Sequence, residues 1–323
     1  MAHTTHLWHS TWYAASQPLA ADVEKKLLTY TLPEKTQYFH YVDEKWQARD
    51  YHYYSLQPKE EKGRPVIYAT GFASNGAMIP GTMGAFPEVA GRKLVFADEV
   101  LGIPYKAYLF SQGISDATMD QFAPEHLKKA VALLQTLDHQ GIQETDVFAH
   151  SEWAIHALIA AQLLPHRFKN IVLNSTVGLA EEKTVLWLVV KTIKEQVSGK
   201  VKDILRGTPT SYDATKNRVA KDWDGWTGNV ANMLWSSLKL MPKVQLLPYI
   251  QKVRSLWVKV SLTHAENDAA FPLEQLKAKF WGAPEKYLDG FAVVPDADHN
   301  TIIRQPWPFV EYVVQRFFSG EKL

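Results

Sequence analysis

The chain contains no cysteine. That absence removes disulfide bridges, thiolate-held metals and cysteine nucleophiles together, and it suits a reducing compartment. Charge of one sign is also missing: 35 Lys and Arg stand against 34 Asp and Glu, for a formal net charge of +1. With no long basic run either, neither a nucleic-acid footprint nor a polybasic membrane patch is expected. Long hydrophobic runs are absent too. The longest, Val185 to Val190, falls far short of the roughly 20 apolar residues of a membrane-spanning helix. The opening MAHTTHLWHSTW has neither the basic segment nor the apolar core of a secretory signal. A cytoplasmic protein with no membrane span and no nucleic-acid partner is the expectation. His3, His6 and His9 recur every third residue near the start, but on an unfixed terminus they read as solvated. No metal or cofactor is expected.

What is present is the pattern of an α/β chain. At 323 residues it is long for one ordinary domain and fits a core with an insertion. Residues 37–57 alternate aromatic and polar positions on both sides of a VDEK turn, which predicts an antiparallel hairpin. PVIYAT, KLVFA, DVFAH and NIVLNS are compact apolar runs of the kind buried parallel strands show. A helix is predicted from about Ala123 to His139, with Leu127, Ala130, Val131, Leu134 and Leu137 on one stripe and Gly141 closing it. Strands alternating with amphipathic helices predict a mostly parallel sheet covered by helices on both faces.

One stretch carries chemistry. In DVFAHSEWAIHALIAA an apolar run stops at Ser151 and an alanine-rich helical pattern begins at once, with Ile155, Leu158, Ile159 and Leu163 at helical spacing. Ser151 then sits on a tight strand-to-helix turn with its hydroxyl clear of the backbone. A serine that only caps the helix is the plainer alternative. Earlier in the chain, PVIYAT runs into TGFASNG, where Gly71 and Gly76 let the backbone turn back under a ligand. Late in the chain, a loop after LWVKVSLTHA carries Glu266 and Asp268, and another after GFAVV carries His299.

Taken as a set, these stretches resemble the α/β-hydrolase family, in its serine-nucleophile branch with a helical cap. AHSEWA is similar to the family's nucleophile elbow at Ala149 and Ser151, and departs from it at Trp153, where the family usually has glycine. Trp153 should therefore displace the helix or escape into a gap. In TGFASNG, Thr70 replaces the family's histidine while Gly71 is kept, and DEVLG looks like the family's turn with Asp98 and Gly102 in place. The resemblance implies Ser151 as nucleophile, His299 as base and Asp268 as acid. Asp268 is favoured over Glu266 by its distance to Pro272, and the family's other acid position falls on Asn174 and Ser175, which do not ionise. The backbone N–H groups of Phe72 and Glu152 would form the oxyanion hole. His150 should point away from Ser151.

The resemblance also divides the chain. It implies an N-terminal extension over residues 1–36, a core over 37–176 and 255–323, and a helical cap over 177–254. In the cap, Leu186, Val189, Val190, Ile193 and Val197 form one helical stripe, and Trp223, Trp226 and Val230 belong to another. Trp153, Trp223, Trp226 and Tyr105 are candidates to bind substrate, with Tyr108 and Phe110 in the same aromatic loop and Trp187 and Trp235 elsewhere in the cap. The implied activity is cleavage of a small apolar carboxylic ester through an acyl-enzyme. A lactonase, a carbon–carbon bond hydrolase and a catalytically silent fold that binds a small ligand are the alternatives.

Overall fold

The computed structural model describes residues 37–42, 48–69, 80–97, 103–179, 244–280, 284–299, 301–304, 310 and 313–318. The expected N-terminal extension, the glycine loop with Thr70, Gly71, Phe72 and Gly76, the turn with Asp98 and Gly102, and most of the expected cap lie outside these residues.

Strands β1 (Gln37–Val42) and β2 (Ala48–Leu56) pair antiparallel, from Gln37 opposite Tyr53 to Val42 opposite Ala48. Strand β2 then lies antiparallel on β4 (Leu94–Ala97), and every later pairing is parallel. With β3 (Val66–Ala69), β5 (Thr145–His150), β6 (Phe168–Asn174), β7 (Lys259–Ala265) and β8 (Gly290–Val294), the eight strands run in the order β1-β2-β4-β3-β5-β6-β7-β8. The parallel strands alternate with helices, which the crossover between parallel neighbours requires.

Alternation along the strands builds two cores, one on each face of the sheet. Ile67, Ala69, Val147, Ala149, Ile171 and Leu173 face the helices α2 (Tyr105–Ser111), α4 (Pro124–His139), α5 (Trp153–Leu163), α6 (Leu246–Ser255) and α7 (Leu273–Phe280). Val66, Tyr68, Phe148 and Val172 face the other way, toward α1 (Pro80–Ala90), Ile302 on α9 (Thr301–Arg304) and the C-terminal turn Val314–Phe318. Short α3 (Asp116–Met119) and α8 (Pro284–Tyr287) complete the described helices. Buried on both faces, β5 carries the apolar run Val147, Phe148 and Ala149 between the buried polar residues Thr145, Asp146 and His150.

Helix α4 begins at Pro124 with the proline in its first turn, and Gly141 follows at φ 63°, a conformation glycine adopts without penalty. Leu127, Ala130, Val131, Leu134 and Leu137 are all buried. Helix α1 was not expected from sequence, because Gly81, Gly84 and an internal Pro87 make it a weak helix on propensity alone. It forms because Met83, Ala85 and Phe86 are buried against the sheet.

Two expectations need correction. Tyr105, Tyr108 and Phe110 belong to helix α2 and not to a loop, and they meet three different surroundings. Tyr105 is buried in the core, the Tyr108 hydroxyl donates to Asp138 at 2.7 Å, and Phe110 is exposed. They form no common wall for a pocket, and Tyr105 packs as a core residue. The second correction concerns the end of the cap. Leu246, Ile250 and Val253, within the expected 177–254, are fully buried in the same core as α5. An apolar stripe reads alike on a cap helix and on a core helix, so only packing separates them.

The described residues on either side of 180–243 are neighbours. The N–H of Leu246 donates to the carbonyl of Gly178 at 3.2 Å, and Gly178 stands at φ 77°. A Cβ on Gly178 would lie 2.7 Å from the carbonyl oxygen of Val244. Among the described residues no helix is long and apolar enough to cross a membrane. Gly178→Ala combines a disfavoured backbone conformation with a clash against a main-chain atom, and should destabilise the protein by about 1–3 kcal/mol. Chemical denaturation reads this as a lower midpoint at unchanged slope.

Candidate active site

Strand β5 ends at His150 and α5 begins at Trp153, which leaves Ser151 and Glu152 to make the turn. Ser151 has φ 55°, a left-handed conformation that costs a non-glycine residue energy and persists only where the surroundings hold it. What holds it is a hydrogen bond from its own N–H to the carbonyl of Asn174, at the end of the neighbouring β6, at 2.9 Å. On the helical side, every residue of α5 except Gln162 is buried. The turn is clamped from both directions. The N–H of Glu152 falls among the first amides of a helix, which have no intrahelical acceptor.

The loops after β7 and β8 end at the same edge of the sheet and bring Asp268 and His299 to Ser151. His299 Nε2 lies 3.2 Å from Ser151 Oγ, and His299 Nδ1 lies 2.9 Å from Asp268 Oδ2. The second carboxylate oxygen of Asp268 accepts the N–H of Phe271 at 2.8 Å. The ring of Phe271 meets the His299 ring edge-on at 5.2 Å between centroids. The two loops are sewn together: Asn267 N–H donates to Ala297 O at 2.8 Å, and Asp296 N–H donates to Glu266 Oε2 at 3.0 Å. Glu266 therefore braces the histidine loop from its exposed side, while Asp268 faces His299.

Ser151, Asp268 and His299 are all buried. Burial alone would raise the Asp268 carboxyl. The charge and hydrogen bond of His299, with His264 and the Phe271 amide, outweigh it and hold the group below the usual carboxylate range. His264 lies on β7 with Nε2 donating to the carbonyl of Phe271 at 2.8 Å, and burial lowers its basicity. It fastens the residue whose amide holds Asp268.

His150, expected to point away from Ser151, borders the ring of His299. Its ring lies 4.9 Å from that of His299, centroid to centroid. Alternation along a strand fixes which face His150 presents, and the loop after β8, which carries His299, is what stands opposite that face. Burial, followed by the charge of His299, lowers its basicity to about 3.

Trp153 is corrected as well. Its indole turns toward α4, where Lys129 Nζ lies 5.7 Å from the ring centroid, and His156 meets it edge-on at 5.2 Å. At 1% exposure it is a core residue and offers no surface to a substrate. The crowding expected against the sheet is avoided because the indole leaves sideways. Beside it, Lys129 Nζ and Glu152 Oε1 form a buried ion pair at 2.9 Å, and His126 Nδ1 lies 3.0 Å from His156 Nε2. Burial keeps both of these histidines below their usual basicity. This cluster had no signal in the sequence beyond a lysine on an apolar helix. Phe72, Trp223 and Trp226 lie outside the described residues. Among those described, no group of three His, Asp or Glu side chains is placed to hold a metal ion.

No family model and no curated protein matches the sequence. Solved structures do match in three dimensions. The chain is similar to E-2-(acetamidomethylene)succinate hydrolase, with a TM-score of 0.58 at 12% identity over 88% of this chain and 100% of that one. It is also similar to carboxylesterase CesB from Bacillus subtilis, at 0.56 and 17% over 96% and 98%. A hydrolase from Pseudomonas aeruginosa gives 0.56 and 12% over 88% and 99%. The chain has the α/β-hydrolase fold, on sheet order and on these likenesses together.

The two loop carboxylates separate by mutation. Asp268→Asn keeps the shape but takes away the charge that orients His299, and turnover should fall roughly ten-thousandfold. Glu266→Gln keeps an acceptor for Asp296 N–H and should change it little. Steady-state rates toward any accepted substrate check the ranking. The lowered Asp268 carboxyl favours the folded state above its ordinary pKa of about 3.9, and that contribution is lost as pH falls through the lowered value. The stability gap between parent and Asp268→Asn should therefore narrow on acidification, as read by denaturation at graded pH.

Proposed function

We propose that the protein is a serine hydrolase that cleaves a carboxylic ester through an acyl-enzyme, with Ser151, His299 and Asp268 as its triad. The observation that carries this is the unbroken hydrogen-bond line from Asp268 through His299 to Ser151, with contacts of 2.9 and 3.2 Å. A serine hydroxyl is a weak nucleophile at neutral pH and needs a base within reach, and the base needs an orienting carboxylate.

Ser151 Oγ attacks the carbonyl carbon of the ester, and its proton passes to His299 Nε2. The tetrahedral intermediate carries its negative charge on the former carbonyl oxygen. The N–H of Glu152 receives that oxygen, joined in this reading by the N–H of Phe72, and one such donor contributes about 3 kcal/mol. The intermediate collapses by breaking the bond to the alkoxy oxygen, which leaves as the alcohol with the proton held by His299. Water then gives a proton to His299 as it attacks the acyl carbon, and the acid departs from Ser151 Oγ with that proton restored to it. Asp268 stabilises the imidazolium formed twice in this cycle.

The acyl pocket is assigned to the inserted segment, with Trp223 and Trp226 against an apolar acyl chain. Four tryptophans within one insertion are more aromatic surface than a segment of this length needs for its own packing, and ligand pockets are mostly apolar and aromatic.

A fluorophosphonate probe tests the nucleophile without knowledge of the substrate. The wild-type protein should be labelled at Ser151, and Ser151→Ala should not be. Hydrolysis of p-nitrophenyl esters of graded acyl length should fall by about a thousandfold or more in Ser151→Ala. A labelled Ser151→Ala protein, or one with near-parental turnover, removes Ser151 as nucleophile. A folded wild-type protein that resists the probe would be a ligand-binding fold instead.

A further inference from the structure

A second imidazole stands in the site, and the triad does not use it. His150 is 2% exposed and packs against His299, the two rings tilted by 40° at 4.9 Å between centroids. Its orientation is set from behind. Asn174 Nδ2 lies 2.9 Å from His150 Nδ1, and since the amide nitrogen can only donate, Nδ1 accepts and the ring proton sits on Nε2. Asn174 is set in its turn by the Thr263 hydroxyl, which donates to Asn174 Oδ1 at 2.8 Å. The same asparagine receives the N–H of Ser151 on its backbone carbonyl. One residue at the end of β6 thus fixes both the nucleophile's backbone and the ring beside the base.

We propose that His150 is a positioning residue for His299: locked in one tautomer by Asn174 and Thr263, it backs the base with a rigid ring and keeps water from that face. The inference rests on His299 acting as the base of the triad. The Phe271 ring meets His299 edge-on, so with Asp268 at Nδ1 and Ser151 at Nε2 the imidazole is constrained on every contact described above. Among the described residues, the charges of Asp268 and His299 act on His150, and those of Asp268 and His299 act on His264. His264 is committed to the Phe271 carbonyl. The Lys129–Glu152 pair lies on the α4 side of the turn.

Since His150 protonates only near pH 3, it stays neutral wherever the enzyme would work and adds no positive charge beside His299. What it does add is the exclusion of water, which disfavours an imidazolium. Removing the ring admits water, favours protonated His299, and so moves the acid limb of the reaction to higher pH.

The rate of fluorophosphonate labelling against pH reads that limb directly, on the full chain. In His150→Ala the midpoint of the acid limb should rise by about half a pH unit to one unit, and the limiting rate should fall about tenfold. His150→Phe restores a ring and should bring the midpoint back to within about 0.2 unit of wild type. Asn174→Ala keeps the carbonyl that holds Ser151 but frees the His150 tautomer, and its midpoint should rise as well. An acid limb that stays at the wild-type pH in His150→Ala overturns the proposal, however far the rate falls, because a structural ring changes the active fraction and not the midpoint. Should His150→Ala not fold, an unmoved limb in Asn174→Ala overturns it equally. If the wild type resists the probe or Ser151→Ala accepts it, the triad reading itself fails and this proposal with it, an outcome distinct from an unmoved limb on a protein labelled at Ser151.

Discussion

The left-handed backbone of Ser151 is the constraint on which the rest of the site depends. A serine at φ 55° gives up something on the order of 1–3 kcal/mol relative to a relaxed conformation, and it stays there only because two larger structures compete for its neighbours. Strand β5 is buried on both faces, so His150 cannot slip along the sheet without carrying Phe148 and Ala149 out of their cores. Helix α5 is buried almost all round, so its first residue cannot retreat either. The turn takes up the geometric difference between strand and helix within Ser151 and Glu152, and the hydroxyl is left facing the edge where the other loops arrive.

That edge is shared because β5, β6, β7 and β8 run parallel and so end together. Loops after parallel strands converge at the carboxyl end of a sheet, where ligands bind in folds of this kind. Asp268 and His299 therefore need no long connection to meet Ser151, and the hydrogen bonds between their two loops fix the distance. The main-chain stitching sets the approach, and the side chains complete it.

Polar groups are unusually dense behind this edge for a region so poorly exposed. Asp268 keeps its charge because His299 and the Phe271 amide compensate its loss of water. His150, His156 and His264 take the opposite course, and burial leaves them neutral. Lys129 and Glu152 pair directly, and removing one partner of such a buried pair costs about 3–5 kcal/mol even though the pair itself adds little net stability. The charges kept in this region are thus the compensated ones, and the imidazoles that burial reaches without such compensation stay neutral.

Much of this was legible in the order of residues. Apolar runs of strand length alternating with helical stripes specify a parallel sheet with two faces, because period two and period 3.6 are properties of the local chain. The elbow was legible for the same reason, since an abrupt change of period at Ser151 is itself the turn. Where a side chain meets partners distant in sequence, local pattern was silent or misled. Trp153 lies against Lys129 of another helix, Tyr105 sits on a helix whose aromatics scatter among three environments, and Leu246 to Val253 serve the core. The placement of His150 over His299, 149 positions apart by the difference of their numbers, follows from how β5, β6 and β8 are ordered across the sheet. Periodicity says which face a residue presents, and only the tertiary structure decides what stands opposite that face, because that depends on contacts no local window of sequence contains.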